Sequence, residues 1–492
     1  MPPINAGQSE KSAEEDPLII SGNSKEISRS QSYQGNYGYD SRYGAAIVQD
    51  TVEDPTIEVS GAPKDDRLEN WQVAVNLIKG SIGTGILGLP LAIKHAGLAL
   101  GPAVLSLMGL LSLHNMHLLV ICSRAMAKRN HVSQRMDYGE LTNLVFSHYC
   151  KKWKNAASML VNFFLCLVQL GFCCVYVLFV ADNLYRISGQ SLSVKIWAAI
   201  SLPAFLGFSF IDHLTFISYI SIIANFFALF GLFGVLYNVI PLASNPTKLP
   251  LFNSFSTFAL FFGQSVFAFE GIGVILPVEK KAKKPKDFVF VMYCSIIFVV
   301  ILYIAVGLFG YLAYPDSIKG SVTLNLSETG FHIAVQSVYA LAIFCTYFIQ
   351  FYVPMTIMIP SVRRFSPFKF VKVADVFFRT VCVCVTFGVA VGVPQLGNSI
   401  ALVGSLAGSA VLFVFPSLLH LLVIWDDRHR FVTKLNIAKN IFIMVIGTIG
   451  AIVGTYEAVN AIINDRNISP AKHRPDGLTF GMTTNRTTLD YV

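Results

Sequence analysis

Residues 80–90 read GSIGTGILGLP, Gly80 to Pro90, near the middle of an apolar stretch running from about 71 to 95. Four glycines and a proline suit a regular helix poorly, because glycine costs backbone entropy and an interior proline removes a hydrogen bond. A second stretch, FAFEGIGVILP from Phe267 to Pro277, places Gly271 and Gly273 before an apolar turn that also ends in proline. The Gly-to-Pro spacing of the two differs by one residue. Small residues also allow close helix packing in membranes, but packing does not call for the prolines that follow.

The surrounding sequence is a series of apolar runs. They predict eleven spans, at about 71–95, 98–124, 156–182, 194–211, 214–240, 254–278, 287–314, 331–360, 373–392, 398–424 and 437–463, on the scale needed to cross about 30 Å of hydrocarbon. The fold class expected is an all-α polytopic membrane protein. The interrupted stretches fall in spans one and six, and Gly/Pro-interrupted spans at corresponding places in two halves point to an inverted-repeat transporter. Spans one to five then match six to ten, with span eleven appended. An offset of five turns each span opposite to its mate, as inversion requires.

Composition agrees. Of the 492 residues, 54% are apolar and 13% charged, against about 25% charged in soluble domains, which excludes a soluble enzyme of the usual kind. Residues 1–65 hold 11 Asp/Glu against 5 Lys/Arg and have too little apolar surface to repay ordering, so they are expected to form a disordered acidic cytoplasmic tail. Residues 66–463 form the transporter domain and 464–492 an outer tail. The N-terminal region lacks a basic segment followed by an apolar core, so the first span is expected to act as the insertion signal.

Basic clusters orient the spans. Lys151, Lys152 and Lys154, the run Lys280, Lys281, Lys283, Lys284 and Lys286, and the pair Arg363 and Arg364 fall on one side. The positive-inside bias makes that side cytoplasmic, together with the N-terminus, and assigns the surplus charge to membrane orientation, not nucleic acid. The N-x-S/T glycosylation patterns at Asn325, Asn467 and Asn485 all fall on the opposite side. Eight of the nine cysteines lie within spans and none forms a metal-spaced cluster, so they read as packing residues and no metal or other cofactor is expected.

An unwound turn frees N–H and C=O groups that lipid cannot satisfy, so a break survives only where it lines a polar cavity or neighbours repair it. The half-helix following Ser81–Gly85 presents N–H groups and a positive dipole end, suited to a carboxylate. Freed carbonyls around Phe267 to Phe269 suit an ammonium. Together they describe an α-amino acid as ligand.

The sequence resembles the proton-coupled amino acid transporter family, within the amino acid and auxin permease group. The carriers are LIKGSIGTGILGLPLAIKHAG (Leu77–Gly97), QLGFCCVYVLFVADN (Gln169–Asn183), FAFEGIGVILPVE (Phe267–Glu279), IKGSVTLNL (Ile318–Leu326), QFYVP (Gln350–Pro354) and GTYEA (Gly454–Ala458). The resemblance runs from about Leu68 to Ile463. It implies a LeuT-like fold of five plus five helices with one extra, and movement of small neutral amino acids with protons across plasma or lysosomal membranes. It places substrate at Ser81, Ile82, Gly83, Thr84 and Gly85 and at Phe267, Phe269 and Glu270. Where animal members usually carry a histidine implicated in proton coupling, three residues before Lys79, this chain has Asn76, which cannot titrate near neutral pH. Thr356 and His420 stand where the family has glutamates, and the outer loops lack the family's disulfide-forming cysteines.

Charges within spans require an explanation in lipid. Glu270, at the second break, reads as the proton site or a gate, and Lys79 as an inner-gate or snorkelling residue. Asp182, Arg379 and Glu457 read as interfacial, and His114 and His117, one turn apart, as packing or hydrogen-bonding residues. Tyr138–Tyr149 reads as a short helix resting on the membrane surface. In the tail, EEDPLI (Glu14, Leu18 and Ile19 as key residues) resembles an acidic dileucine signal for lysosomal or endosomal sorting adaptors. Three functions compete: a secondary active symporter of small neutral amino acids, a proton-independent facilitator, exchanger or Na-coupled carrier, and a lysosomal sensor signalling through its tail.

Overall fold

A computed structural model describes residues 67–131, 136–211, 214–327, 329–366 and 370–468. Glu14, Leu18, Ile19 and Asn485 lie outside the described residues. Fifteen α-helices make up almost all of the rest. They are α1 Asn70–Ser81, α2 Thr84–Ala96, α3 Leu100–Arg129, α4 Tyr138–Tyr149, α5 Lys154–Ile187, α6 Val194–Ser209, α7 Leu214–Val239, α8 Phe255–Ala268, α9 Ile275–Lys281, α10 Phe288–Ala313, α11 Gly330–Phe365, α12 Val371–Gly392, α13 Leu396–Val403, α14 Phe415–Val423 and α15 Phe431–Ile468.

Nine helical runs are long and apolar enough to cross a membrane, and ten when the bent pair α1 and α2 is taken as one span, among the described residues. The predicted fourth span is helix α6, which at 16 residues falls short of that test. Each of the other predicted spans has its counterpart, and the protein is a multi-pass membrane protein. Span six sits in the centre: 83% of its apolar window is buried, against 22% for α15. Lipid-facing side chains explain the contrast, because α15 has its apolar residues on all sides while few meet protein.

Local chemistry sets the ends. Glu69 and Gln72 form a capping box at the start of α1, and Asp137 and Glu140 another at α4, each satisfying orphan N–H groups. Helix α4 corrects one expectation. Its Tyr138, Leu141 and Val145 are buried in the protein, and the Tyr138 hydroxyl donates to the Val411 carbonyl at 3.1 Å, so its apolar face is satisfied by other helices. Arg379 is likewise buried, donating to the Ser209 carbonyl at the end of α6 at 2.9 Å. Glu457 is half-buried, accepting from the Ser256 hydroxyl at 2.7 Å.

The start of span one is tied to the end of span six. Leu68 N–H donates to the Lys281 carbonyl at 2.8 Å and Lys283 N–H to the Leu68 carbonyl at 2.9 Å. Glu69 pairs with Lys283, and Asn70 Nδ2 donates to Asp287 at 2.9 Å. Beside them, Arg124 of α3 pairs with the buried Glu279 of α9 at 2.8 Å.

Candidate substrate site between the broken helices

In span one the chain leaves α1 at Ser81 and enters α2 at Thr84 with a 52° bend. Ile82 and Gly83 are extended, which ends one helix and aims the next. Gly83 is the N-cap of α2 and no side chain caps it, so the first N–H groups of α2 have no intrahelical acceptor. The Thr84 hydroxyl beside them is buried without a partner.

In span six, α8 stops at Ala268, and Phe269, Glu270 and Gly271 lead into a 3-10 turn, Ile272–Val274, before α9. The breaks touch. A Cβ at Gly85 would lie 2.8 Å from the Ala268 Cα, a backbone atom that cannot swing aside, and one at Gly83 would lie 2.8 Å from the Tyr176 hydroxyl. The missing side chain at Gly85 lets the two breaks approach, and that at Gly83 admits Tyr176 of α5.

The carbonyls expected to be free around Phe267 to Phe269 have donors. Phe267 O accepts from Glu270 N–H at 3.4 Å, Ala268 O from the Tyr303 hydroxyl at 2.7 Å and Phe269 O from the Ser112 hydroxyl at 3.4 Å. The Tyr303 hydroxyl also bonds the Ser81 carbonyl, so one phenol joins both breaks. Tyr339 donates to the Gly83 carbonyl at 3.1 Å. These tyrosines supply the repair that lipid cannot.

Between the breaks lies a cavity of about 20 Å³, room for one or two waters by the yardstick of about 10–15 Å³ each. Of the residues expected there, Lys79, Ser81, Ile82, Gly83, Gly85, Phe267 and Glu270 line it. Thr84 sits behind the wall, at the buried start of α2. Phe269 packs against Tyr303, ring centroids 5.0 Å apart. Asn76 is not among the lining residues, its amide donating to the Gln72 carbonyl of its own helix at 2.8 Å. Gly80 and Ala268 join them from the breaks, and Phe172, Tyr176, Thr346 and Gln350, from α5 and α11, complete the lining. Their signal in the sequence is faint: polar atoms scattered in otherwise apolar spans.

Glu270 is 5% exposed and its Oε2 has no partner, so a carboxyl group is held at the cavity wall with spare hydrogen-bonding capacity. Of the N-x-S/T asparagines, Asn325 is committed: its Nδ2 donates to the Ser317 carbonyl at 2.7 Å and its Oδ1 accepts from Lys319 N–H at 2.9 Å. Asn467 lies in the last turn of α15.

Broken helices meeting around a small polar cavity inside a helical membrane bundle define a membrane transporter. The chain belongs to the transmembrane amino acid transporter protein family, whose model matches residues 66–460. It is 28% identical over 421 residues to the proton-coupled amino acid transporter-like protein pathetic of Drosophila melanogaster, covering 81% of this chain and 87% of that one. It is 27% identical over 423 residues to the probable amino acid transporter skat-1 of Caenorhabditis elegans, covering 82% and 92%. Among solved structures it is similar to the inward-facing conformation of Mhp1, with a TM-score of 0.54 at 12% identity, covering 86% of this chain and 96% of that chain. That likeness shows the LeuT-like fold.

Proposed function

We propose that this transporter carries small neutral α-amino acids together with protons, binding the zwitterion between the breaks of spans one and six and alternating access by moving one helix group against the rest. The observation that carries the reading is the uncapped N-terminus of α2, with the partnerless Thr84 hydroxyl, set against the span-six break that holds Glu270. The substrate carboxylate faces the N–H groups, and its ammonium takes over the Ser81 and Ala268 carbonyls that Tyr303 now bridges. With only about 20 Å³ available, substrate binding requires the two breaks to part. Glu270 supplies the proton site, the coupling ion being H⁺. The N-terminus faces the cytoplasm, Asn325, Asn467 and Asn485 face the lumen or exterior, and the membrane is lysosomal, endosomal or plasma membrane. Glu14, Leu18 and Ile19 recruit sorting adaptors.

Asn76 favours a second reading. A group that cannot titrate and lies outside the cavity lining fits a facilitator. Uptake into proteoliposomes with an imposed pH gradient and no Na⁺, across a panel of neutral amino acids, separates the two. A symporter accumulates substrate beyond equilibrium and Glu270→Gln abolishes that accumulation. A wild type that only equilibrates its substrate overturns proton coupling.

A further inference from the structure

A row of buried polar atoms leaves the substrate cavity at Glu270 and follows span ten. Between α13 and α14 that span is irregular, with π-helical turns at Gly404–Gly408 and Ala410–Val414, a feature that concentrates at functional sites. A Cβ at Gly408 would lie 3.8 Å from Glu270 Oε2. The next turn's carbonyls are taken by side chains: Val411 by the Tyr138 hydroxyl at 3.1 Å and Leu412 by Asn115 Nδ2 at 2.9 Å. Farther on, Asn440 Nδ2 of α15 donates to His420 Nδ1 of α14 at 2.8 Å, which leaves the neutral ring's proton on Nε2.

Five atoms along this row are buried and have no hydrogen-bond partner: Glu270 Oε2, Asn115 Oδ1, His114 Nε2, Ser417 Oγ and Asn440 Oδ1. In a membrane interior each such group is costly unless water or a transient partner satisfies it. Their gathering on packed neighbouring elements marks a hydrated route. The ionisable groups facing His420 are His114 and His117 on α3 and Lys439 on α15. His117 bonds the Tyr293 hydroxyl of α10 at 2.9 Å, with Arg124 farther along α3. Tyr138 of α4 faces Glu270 from one side, and Lys79 lines the same cavity.

We propose that this row is a proton route, distinct from the substrate cavity, which links Glu270 to the Arg129 end of the bundle with His420 as its relay. The Glu270 O–H bond breaks to leave a carboxylate, and the proton passes as hydronium along Asn115 and Ser417 to His420 Nδ1. The ring becomes an imidazolium and then gives its Nε2 proton to water beyond Lys439. Asn440 explains its own orphan oxygen: turning its amide over lets Oδ1 accept from the newly protonated Nδ1, so the same side chain serves both ring states. The route rests on Glu270 being the coupling carboxyl.

The test compares two assays of labelled L-alanine in proteoliposomes: accumulation driven by an imposed pH gradient without Na⁺, and exchange at equal pH, which needs no proton release. His420→Gln lowers driven accumulation by about tenfold or more, on the scale of a positioned proton-transfer group, and leaves exchange unchanged, while His420→Glu restores part of the loss. Equal loss in both assays, or no loss in either, overturns the route. A wild type that exchanges but does not accumulate removes the coupling role of Glu270 instead, so the two failures are distinct. Should His420→Gln fail to reach the membrane, Ser417→Ala, which removes a partnerless hydroxyl on the stated path, tests the same route by the same split.

Discussion

The two breaks begin from the same cue, glycines followed by proline, and end differently. In span one Pro90 is the seventh residue of α2, well inside it, and the span bends by 52°. In span six Pro277 is the third residue of α9, where its missing N–H would be unpaired anyway, and Phe255–Lys281 keeps an overall course with no bend above 40°. Span one therefore offers N–H groups that no side chain caps at a sharp corner, whereas span six offers a carboxyl group on a gently interrupted rod. The pair is complementary in chemistry because it is unequal in geometry.

The largest effect comes from forcing the breaks apart. Gly85→Val puts carbon into the Ala268 backbone, and transport falls roughly 10²-fold, the cost of a displacement near 1 Å at a reacting site. Gly273→Ala is its control on the span-six side: the nearest atom is 3.7 Å from the added carbon, and uptake stays near wild type. Equal sensitivity would show that the contact is not what matters.

Next comes Glu270→Gln, which separates the two roles. Driven accumulation is lost and exchange persists, because the N–H corner of span one is untouched. Loss of exchange as well would place Glu270 in substrate binding.

The tyrosines rank third. Tyr303→Phe orphans carbonyls of both breaks and destabilises the purified protein by about 1–3 kcal/mol in thermal unfolding, the cost of an unsatisfied buried group. Tyr339→Phe touches only the Gly83 carbonyl of span one and shifts the midpoint less. The reverse order would show that Tyr303 is not the shared clasp.

The smallest effect belongs to the exposed pair of Glu69 and Lys283. The Lys283 hydrogen bond holds the Glu69 carboxyl below its usual range. A depressed carboxyl stabilises above its ordinary titration range, and the gain is lost as pH falls through the lowered value. Glu69→Gln therefore gives a slight fall in midpoint at neutral pH that vanishes in acid, read from midpoints against pH.

Most of the fold was legible because apolar runs of membrane length and glycines before prolines are local signals. Helix α6 was legible as a helix but falls short of a full span. The backbone half of the site was legible for the same reason, Gly80 to Gly85 and Phe267 to Gly271 being contiguous. Tyr303, Tyr339 and Gln350 were not: a tyrosine or glutamine in an apolar span reads alike whether it faces lipid, core or cavity, and only packing of distant spans decides. Asn76, a position named by resemblance, lies outside the cavity lining, with its amide bonded to the Gln72 carbonyl of its own helix. The π-helical turns of span ten were hidden in an apolar run whose small residues are ordinary for helix packing.

The Leu68 tether has a mechanical corollary. Because its N–H and carbonyl bond Lys281 and Lys283 at the end of α9, the residues that lead into α1 are stapled to the last residue of α9, and drawing those ends apart costs two backbone hydrogen bonds at once.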